Sequence, residues 1–298
     1  MHPYLFNIPL PGGHCFPIRS YGLMIVLGFL VCLWLVQRRG KRMGLNPTAL
    51  FDVAVVGLVG GIVGARLFYV IDNWNAFASD LTGIIRIDQG GLAFYGGLMG
   101  GAVVLLSGLW SKKLPVRPTL DVVASLVPLG HAFGRVGCFL NGCCFGKVTH
   151  SWVGVKFPRI LNGAGDIVGS EPYLHQLRLG LIDKSQTWSL PVYPTQLFEV
   201  GYELLTFGIL SFLLFRRRRA GDVAWLYAIF YGSARFVNEF FRADTQPSPA
   251  LGGLTIFQVL SLGAATFGLV MLVDGIRRPA QPMPEPWQPP AAKARRHK

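Results

Sequence analysis

Residues 134–146 read GRVGCFLNGCCFG. The stretch begins inside an apolar run and ends in a polar segment, so Arg135 falls about where a membrane helix leaves the bilayer. A charge at a helix centre costs about 2.5–3.5 kcal/mol on insertion scales, which marks Arg135 as a functional candidate. Gly134, Gly137, Gly142 and Gly146 leave little side chain in the way, so backbone or a ligand can approach closely. The plainer alternative is that the glycines pack helices and the arginine reaches for the interface.

The surrounding chain decides for a membrane. Of its 298 residues 51% are hydrophobic and only 14% charged, against about 25% charged in a soluble domain. Mean hydropathy is +0.43. Seven apolar segments stand out, at 18–36, 50–71, 91–110, 120–140, 195–215, 222–241 and 254–273. Each is near the roughly 20 residues that a helix needs to cross the hydrocarbon core. The runs are continuous rather than alternating, which excludes a β-barrel. The expected fold is an all-α integral membrane protein with seven transmembrane helices.

The net charge of +13 falls into short clusters between apolar runs. It therefore reads as a topology signal, and no nucleic-acid partner is expected. The segments after spans one, three, five and seven carry 17 of the 28 Lys and Arg. The opposite side carries 8, and Arg66, Arg135 and Arg235 lie within spans. The positive-inside rule then puts the amino terminus outside and the carboxyl terminus in the cytoplasm. The expected divisions are an external segment 1–17, spans one to four over 18–140, a small external head over 141–194, spans five to seven over 195–273, and a disordered basic cytoplasmic tail over 274–298. Short strands or helices are expected in the head. The first 20 residues lack a basic start and are broken by prolines, so no cleavable signal peptide is expected there.

Three of the five cysteines, Cys138, Cys143 and Cys144, cluster in the opening stretch. They have no second pair at a zinc-site spacing, so no structural metal is expected. As thiols they are either small buried hydrophobes or poised groups beside Arg135.

Spans two, four and six each carry an Asp near the inner end, at Asp52, Asp121 and Asp222. Each carries an arginine 14, 14 and 13 residues further on, at Arg66, Arg135 and Arg235. At about 1.5 Å per residue that is roughly 20 Å, in the outer half of the bilayer. Cations at that depth need anions. Arg235 and Glu239 are four apart on one helix face, as are Glu199 and Glu203. One reading is a set of buried ion pairs that fix packing, most readily for Arg66. The other is a phosphate, which the arginine fork binds bidentately. A phospholipid entering from the outer leaflet presents its phosphate at this level.

These residues resemble the prolipoprotein diacylglyceryl transferases of bacteria. The family signature reads approximately GRIGNFINGELWG where this chain has GRVGCFLNGCCFG. IRSYGLM at 18–24, GARLFYV at 64–70, QGGLAFYGGL at 89–98, YPTQLFE at 193–199 and YGSARFVNEFFRADT at 231–245 are similar to further family blocks, in the same order. The resemblance implies a multi-pass enzyme of the bacterial cytoplasmic (inner) membrane, its amino terminus periplasmic. It implies transfer of a diacylglyceryl group from phosphatidylglycerol to the lipobox cysteine thiol in the signal peptide of a prolipoprotein. A thioether forms and glycerol-1-phosphate leaves. The resemblance implies no metal, nucleotide or other cofactor.

By position, Tyr21, Arg135, Gly146, Arg235 and Glu239 match residues that the family depends on, and Asn141 lies in the signature. Arg135 and Arg235 are expected at the phosphate, with Glu239 orienting Arg235 and Arg66 adding to anion binding. Tyr21 is expected to bond the lipid glycerol or phosphate, or to be an interfacial anchor. Two departures stand out. Tyr95 occupies the place of a family histidine proposed as proton acceptor, and is expected to act as a neutral O–H donor. Cys138 and Cys143 replace an asparagine and a glutamate. His131, one turn before Arg135, is either a satisfied buried histidine or catalytic. Rival readings are an anion or lipid transporter, and a lipid-binding relative without transferase activity.

Overall fold

The structure is a computed structural model that describes residues 4–9, 15–78, 81–86, 90–161, 165–217, 219–277, 279 and 284–289. In chain order its elements are β1 (Tyr4–Pro9), β2 (Cys15–Arg19), α1 (Ser20–Arg42), α2 (Pro47–Asp72), the short α3 (Trp74–Phe77), α4 (Phe94–Ser111), α5 (Val116–Ala124), α6 (Val127–Asn141), β3 (Ile160–Leu161), β4 (Ile167–Gly169), α7 (Glu171–Arg178), α8 (Thr195–Leu214), α9 (Asp222–Glu239) and α10 (Ile256–Ile276). β1 pairs antiparallel with β2, and β3 with β4.

Local signals set the helix starts. Asn46 caps α2, its Oδ1 accepting from the amides of Thr48 and Ala49, with Pro47 in the first turn where its missing N–H costs nothing. Thr255 and Gln258 form a reciprocal capping box at α10. The segment expected as one span at 120–140 is two helices. α5 stops at Ala124 and α6 starts at Val127, with Pro128 in its first turn. Proline disfavours a helical residue before it and supplies no amide, so the break falls there.

The helices are inside out by the standard of a soluble protein. Leu30, Val63, Val103, Leu205 and Val270 are exposed on their flanks, whereas Arg66, Glu199, Glu203, Arg235 and Glu239 are buried. That pattern fits a hydrocarbon solvent. Among the described residues five helical stretches are long and apolar enough to cross a membrane: Ser20–Arg42, Pro47–Asp72, Val116–Asn141, Thr195–Leu214 and Pro249–Ile276. Of the other two expected spans, α4 is shorter and α9 carries Asp222, Arg235 and Glu239. The chain is a helical membrane protein.

It divides into two compact units. One holds residues 33–122 and 282–298. Here α2 crosses α4 at bare backbone: a Cβ on Gly64 would lie 2.4 Å from the Gly96 carbonyl oxygen. Only glycine permits that approach. The Ala93 amide donates to the Ala65 carbonyl, fixing where α4 begins. Of the tail expected to be disordered, residues 284–289 are described, and the Trp287 amide donates to the Lys41 carbonyl at 2.8 Å. Residues 280–283 and 290–298 lie outside the described residues.

The other unit holds residues 1–32 and 123–281. α6 packs on α8, α8 on α9 and α9 on α10. Between α6 and α8 the chain forms β3, β4, α7 and a small apolar cluster of Phe145, Phe157 and Val192, with Phe139, Val155 and Ala243 against it. This cluster draws the ends of α6 and α9 toward the start of α8.

Candidate functional site

Three helices of this unit converge. α6 carries His131 and Arg135 one turn apart. α8 carries Gln196, Glu199 and Glu203 on one face, and α9 carries Arg235, Asn238 and Glu239. Arg242 and Asp244 follow just beyond α9. Glu199 sits at the centre, fully buried. Its Oε1 accepts from Arg235 Nη1 at 2.9 Å and from Asn238 Nδ2 at 2.7 Å. Its Oε2 pairs with Arg135 Nε. Arg235 Nη2 lies 2.7 Å from Glu239 Oε2, and Thr255 Oγ1 donates to Glu239 Oε1 at 3.2 Å. Buried charges in this number persist only when paired.

The pairs change the reading of the arginines. Of the two sources of anions that the sequence left open, internal carboxylates and a phosphate, the chain supplies the first in Glu199, Glu239 and Asp244. What remains for a ligand is the donors left over. Arg235, expected at a phosphate, has both terminal nitrogens engaged by Glu199 and Glu239. Arg66, also expected to bind an anion, is spent entirely on backbone. Its Nε, Nη1 and Nη2 donate to the carbonyls of Ile84, Gly90, Gly91, Gly83 and Arg86 at 2.6–3.1 Å. Five donors meeting five carbonyls fill the guanidinium, so Arg66 shapes the segment before Tyr95.

Arg135 is different. Its Nε edge faces Glu199 and donates to His131 Nε2 at 3.1 Å. The other ring nitrogen of His131, Nδ1, lies 2.7 Å from Glu203 Oε1. With Nε2 accepting, Nδ1–H donates to that buried carboxylate. His131 and Glu199 thus hold Arg135 by one edge. Its two terminal nitrogens have no partner among the described residues, and the side chain is 15% exposed. Arg242 joins the same network, its Nη1 3.6 Å from Glu199 Oε1 and its Nε 3.8 Å from Glu239 Oε2. Nη2 bonds Asp244 Oδ2 at 2.6 Å, whereas Nε and Nη1, both buried, make no hydrogen bond among the described residues. Burial pushes the Asp244 carboxyl above its usual range, and Arg242 pulls it back.

Tyr21, on α1, is 43% exposed and packs against Gly137 of α6. Asn141 is the last residue of α6. Gly146 serves backbone rather than ligand. Its amide donates to the Tyr193 carbonyl at 3.0 Å, and a Cβ there would lie 2.5 Å from that oxygen and 2.8 Å from Phe241 O. It thereby ties the start of α8 to the end of α9. Tyr95, in the first turn of α4 in the other unit, is 49% exposed.

Sequence reading missed Arg242, which it counted among external charges, and the shared role of Glu199. The signal available for Arg242 was its place three residues after Glu239, on the same face if the helix continued. A groove of about 440 Å³ runs along α8 and α9, lined by Phe198, Tyr202, Ser233, Ala234, Val237, Asn238 and Phe241. The Tyr202 hydroxyl and Asn238 Oδ1 there have no partner among the described residues. Beside Arg135, the Cys144 thiol is held well below its ordinary range. S–H donation from Cys138 and Cys143 does most of this, with Arg242 and Arg135 adding, against burial.

A buried carboxylate–arginine network with an open guanidinium edge, flanked by an apolar groove, suits an anion carrying apolar chains. The family described as prolipoprotein diacylglyceryl transferase matches residues 4–274. A Clostridium tetani protein named phosphatidylglycerol–prolipoprotein diacylglyceryl transferase is 32% identical over 282 residues, covering 93% of this chain and 100% of its own. Proteins of that name from Symbiobacterium thermophilum and Proteus mirabilis are 32% and 33% identical, covering 89% and 88% of this chain and 91% and 89% of their own. Matched over nearly its whole length by the family and by such relatives, the chain belongs to the prolipoprotein diacylglyceryl transferase family.

Proposed function

We propose that this chain transfers the diacylglyceryl group of phosphatidylglycerol to the lipobox cysteine thiol of a prolipoprotein. The thiol sulfur attacks the glyceryl methylene that carries the phosphate. The carbon–oxygen bond to phosphate breaks as the carbon–sulfur bond forms. The thiol loses its proton, and glycerol-1-phosphate leaves. A cysteine thiol of pKa about 8.5 is already a few per cent thiolate near neutral pH, so the harder demand is the leaving group.

The observation that carries this reading is Arg135, anchored at Nε with both Nη groups open. A preorganised fork meets two phosphate oxygens without rearranging and stabilises charge as it develops. Arg242 adds its positive charge to the same field. Arg235 and Glu239 act through Glu199 and are positioning residues. The groove along α8 and α9 accommodates an acyl chain, with the Asn238 and Tyr202 polar atoms at its wall. Tyr95 donates its hydroxyl to a phosphate or ester oxygen, and Tyr21 with Asn141 completes the lipid-facing end of α6.

In this reading the chain spans the bacterial cytoplasmic membrane seven times, with α4 and α9 as spans three and six. The amino terminus and residues 141–194 are periplasmic, and the tail is cytoplasmic, as the charge bias requires. The test is mass spectrometry of a lipobox peptide incubated with the purified protein and phosphatidylglycerol. A mass gain of one diacylglyceryl group on the cysteine is expected. An unmodified peptide, in a preparation that binds the lipid, would refute the transferase.

A further inference from the structure

The end of α6 turns toward one point the three thiols that cluster in the sequence and for which no metal was expected there. Gly142 closes the helix in the left-handed conformation, φ 75°, and the Cys143 amide donates back to the Cys138 carbonyl at 3.1 Å. Cys144 also has a left-handed φ of 59°, uncommon for a residue with a Cβ. The chain therefore doubles over the last helical turn, and the sulfurs of Cys138, Cys143 and Cys144 all lie within 4.8 Å of one another. None is in a disulfide. The loop is pinned from α8: Gln196 Nε2 donates to the Cys143 carbonyl at 2.7 Å, and Thr195 Oγ1 to the Cys144 carbonyl at 2.8 Å. Both side chains are fully buried. Cys138 is buried, while Cys143 and Cys144 are half-buried, leaving a way in.

We propose that these three sulfurs form a binding site for one soft monovalent d10 metal ion, of the copper(I) class, in trigonal thiolate coordination. An ion about 2.3 Å from each of three sulfurs sets them about 4 Å apart. The present spacing needs a contraction of less than about 1 Å to reach that. Three thiolates select soft ions. No His, Asp or Glu joins the cluster as a fourth ligand among the described residues, and a structural zinc wants four. On binding, the three thiols release three protons to solvent, each sulfur donates an electron pair, and neither metal nor sulfur changes oxidation state. The complex carries a charge of −2, which the fields of Arg135 and Arg242 at Cys144 offset in part.

The experiment uses the full-length protein, purified anaerobically in detergent. It is titrated with copper(I) buffered by an excess of a chromophoric chelator. One copper per chain is expected, with X-ray absorption showing three sulfur neighbours. A Cys15→Ser/Cys32→Ser variant should keep the ion. Cys143→Ser and Cys144→Ser, at half-buried positions, should each lose it at a chelator concentration that the parent withstands. Copper retained by a folded Cys143→Ser/Cys144→Ser variant would overturn the site. So would fewer than three sulfur neighbours in the parent protein, a measurement that needs no variant, or preferential uptake of zinc(II).

Discussion

Glu199 Oε1 accepts from Arg235 Nη1 at 2.9 Å, both side chains buried, while the other oxygen of Glu199 takes Arg135. One carboxylate on α8 thus sets the position of an arginine on each neighbouring helix. Removing it leaves the buried Arg235 and the partly buried Arg135 short of a partner.

Glu199→Gln is accordingly expected to destabilise the protein by about 3–5 kcal/mol, the cost of breaking a buried pair from one side. Thermal unfolding in detergent reads this as a lower midpoint, and transfer activity falls with it. An unchanged midpoint would show that Arg135 and Arg235 find other counter-ions.

Arg135→Ala should cut the rate of peptide diacylglycerylation by about 10²–10³, the loss seen when one preorganised donor to a developing oxyanion is removed. Arg135→Lys should recover little. A lysine has one nitrogen for two tasks, being held by Glu199 and His131 and presenting a fork outward. Parental activity in the alanine variant would make Arg135 structural.

Arg242→Ala tests a residue that sequence reading passed over. Its Nε and Nη1 are buried without a hydrogen bond among the described residues, 3.8 Å from Glu239 and 3.6 Å from Glu199, and a phosphate drawn to this arginine gains a charged hydrogen bond worth about 1.5–3 kcal/mol. The corresponding loss in kcat/KM is roughly ten- to a hundredfold. An effect on thermal midpoint alone would assign Arg242 to the Asp244 pair instead.

Tyr95→Phe removes one hydroxyl from an exposed aromatic at the start of α4. A ten- to hundredfold lower rate is expected, again one hydrogen bond to a charged group at about 1.5–3 kcal/mol. Tyr95→His should retain substantial activity, because imidazole also donates. Rates across pH 6–9 separate the roles. Complete loss in Tyr95→Phe, with the parent tracking an ionisation that the variant lacks, would make Tyr95 the base.

Orientation rests on the Lys and Arg bias. Single cysteines placed at 165 and 218, after the native thiols are controlled for, report it through an impermeant thiol reagent on intact cells. Position 165 should react and 218 should not. The reverse pattern would invert the topology.

The membrane and helical character were legible because both are local. A run of about twenty apolar residues must satisfy its backbone within itself, whatever it packs against. Arg135, Arg235 and Glu239 stood out for the same reason, since a charge in such a run is costly in any fold. The Arg235–Glu239 pair was legible too, being four residues apart on one helix. Other choices lay with tertiary structure. Arg235 meets Glu199 across 36 residues of chain, and His131 meets Glu203 across 72. No periodicity encodes which of several carboxylates a guanidinium will reach. Arg66 and Arg135 look alike in sequence, each in a span some 14 residues past an aspartate. One is consumed by five carbonyls of a loop, and the other is held by one edge with its fork open. That difference is one of donor geometry, fixed only when α6, α8 and α9 close around Glu199. The thiol cluster follows the same logic. The sequence placed the cysteines near each other, but two left-handed residues at the end of α6 turned their sulfurs to a common point.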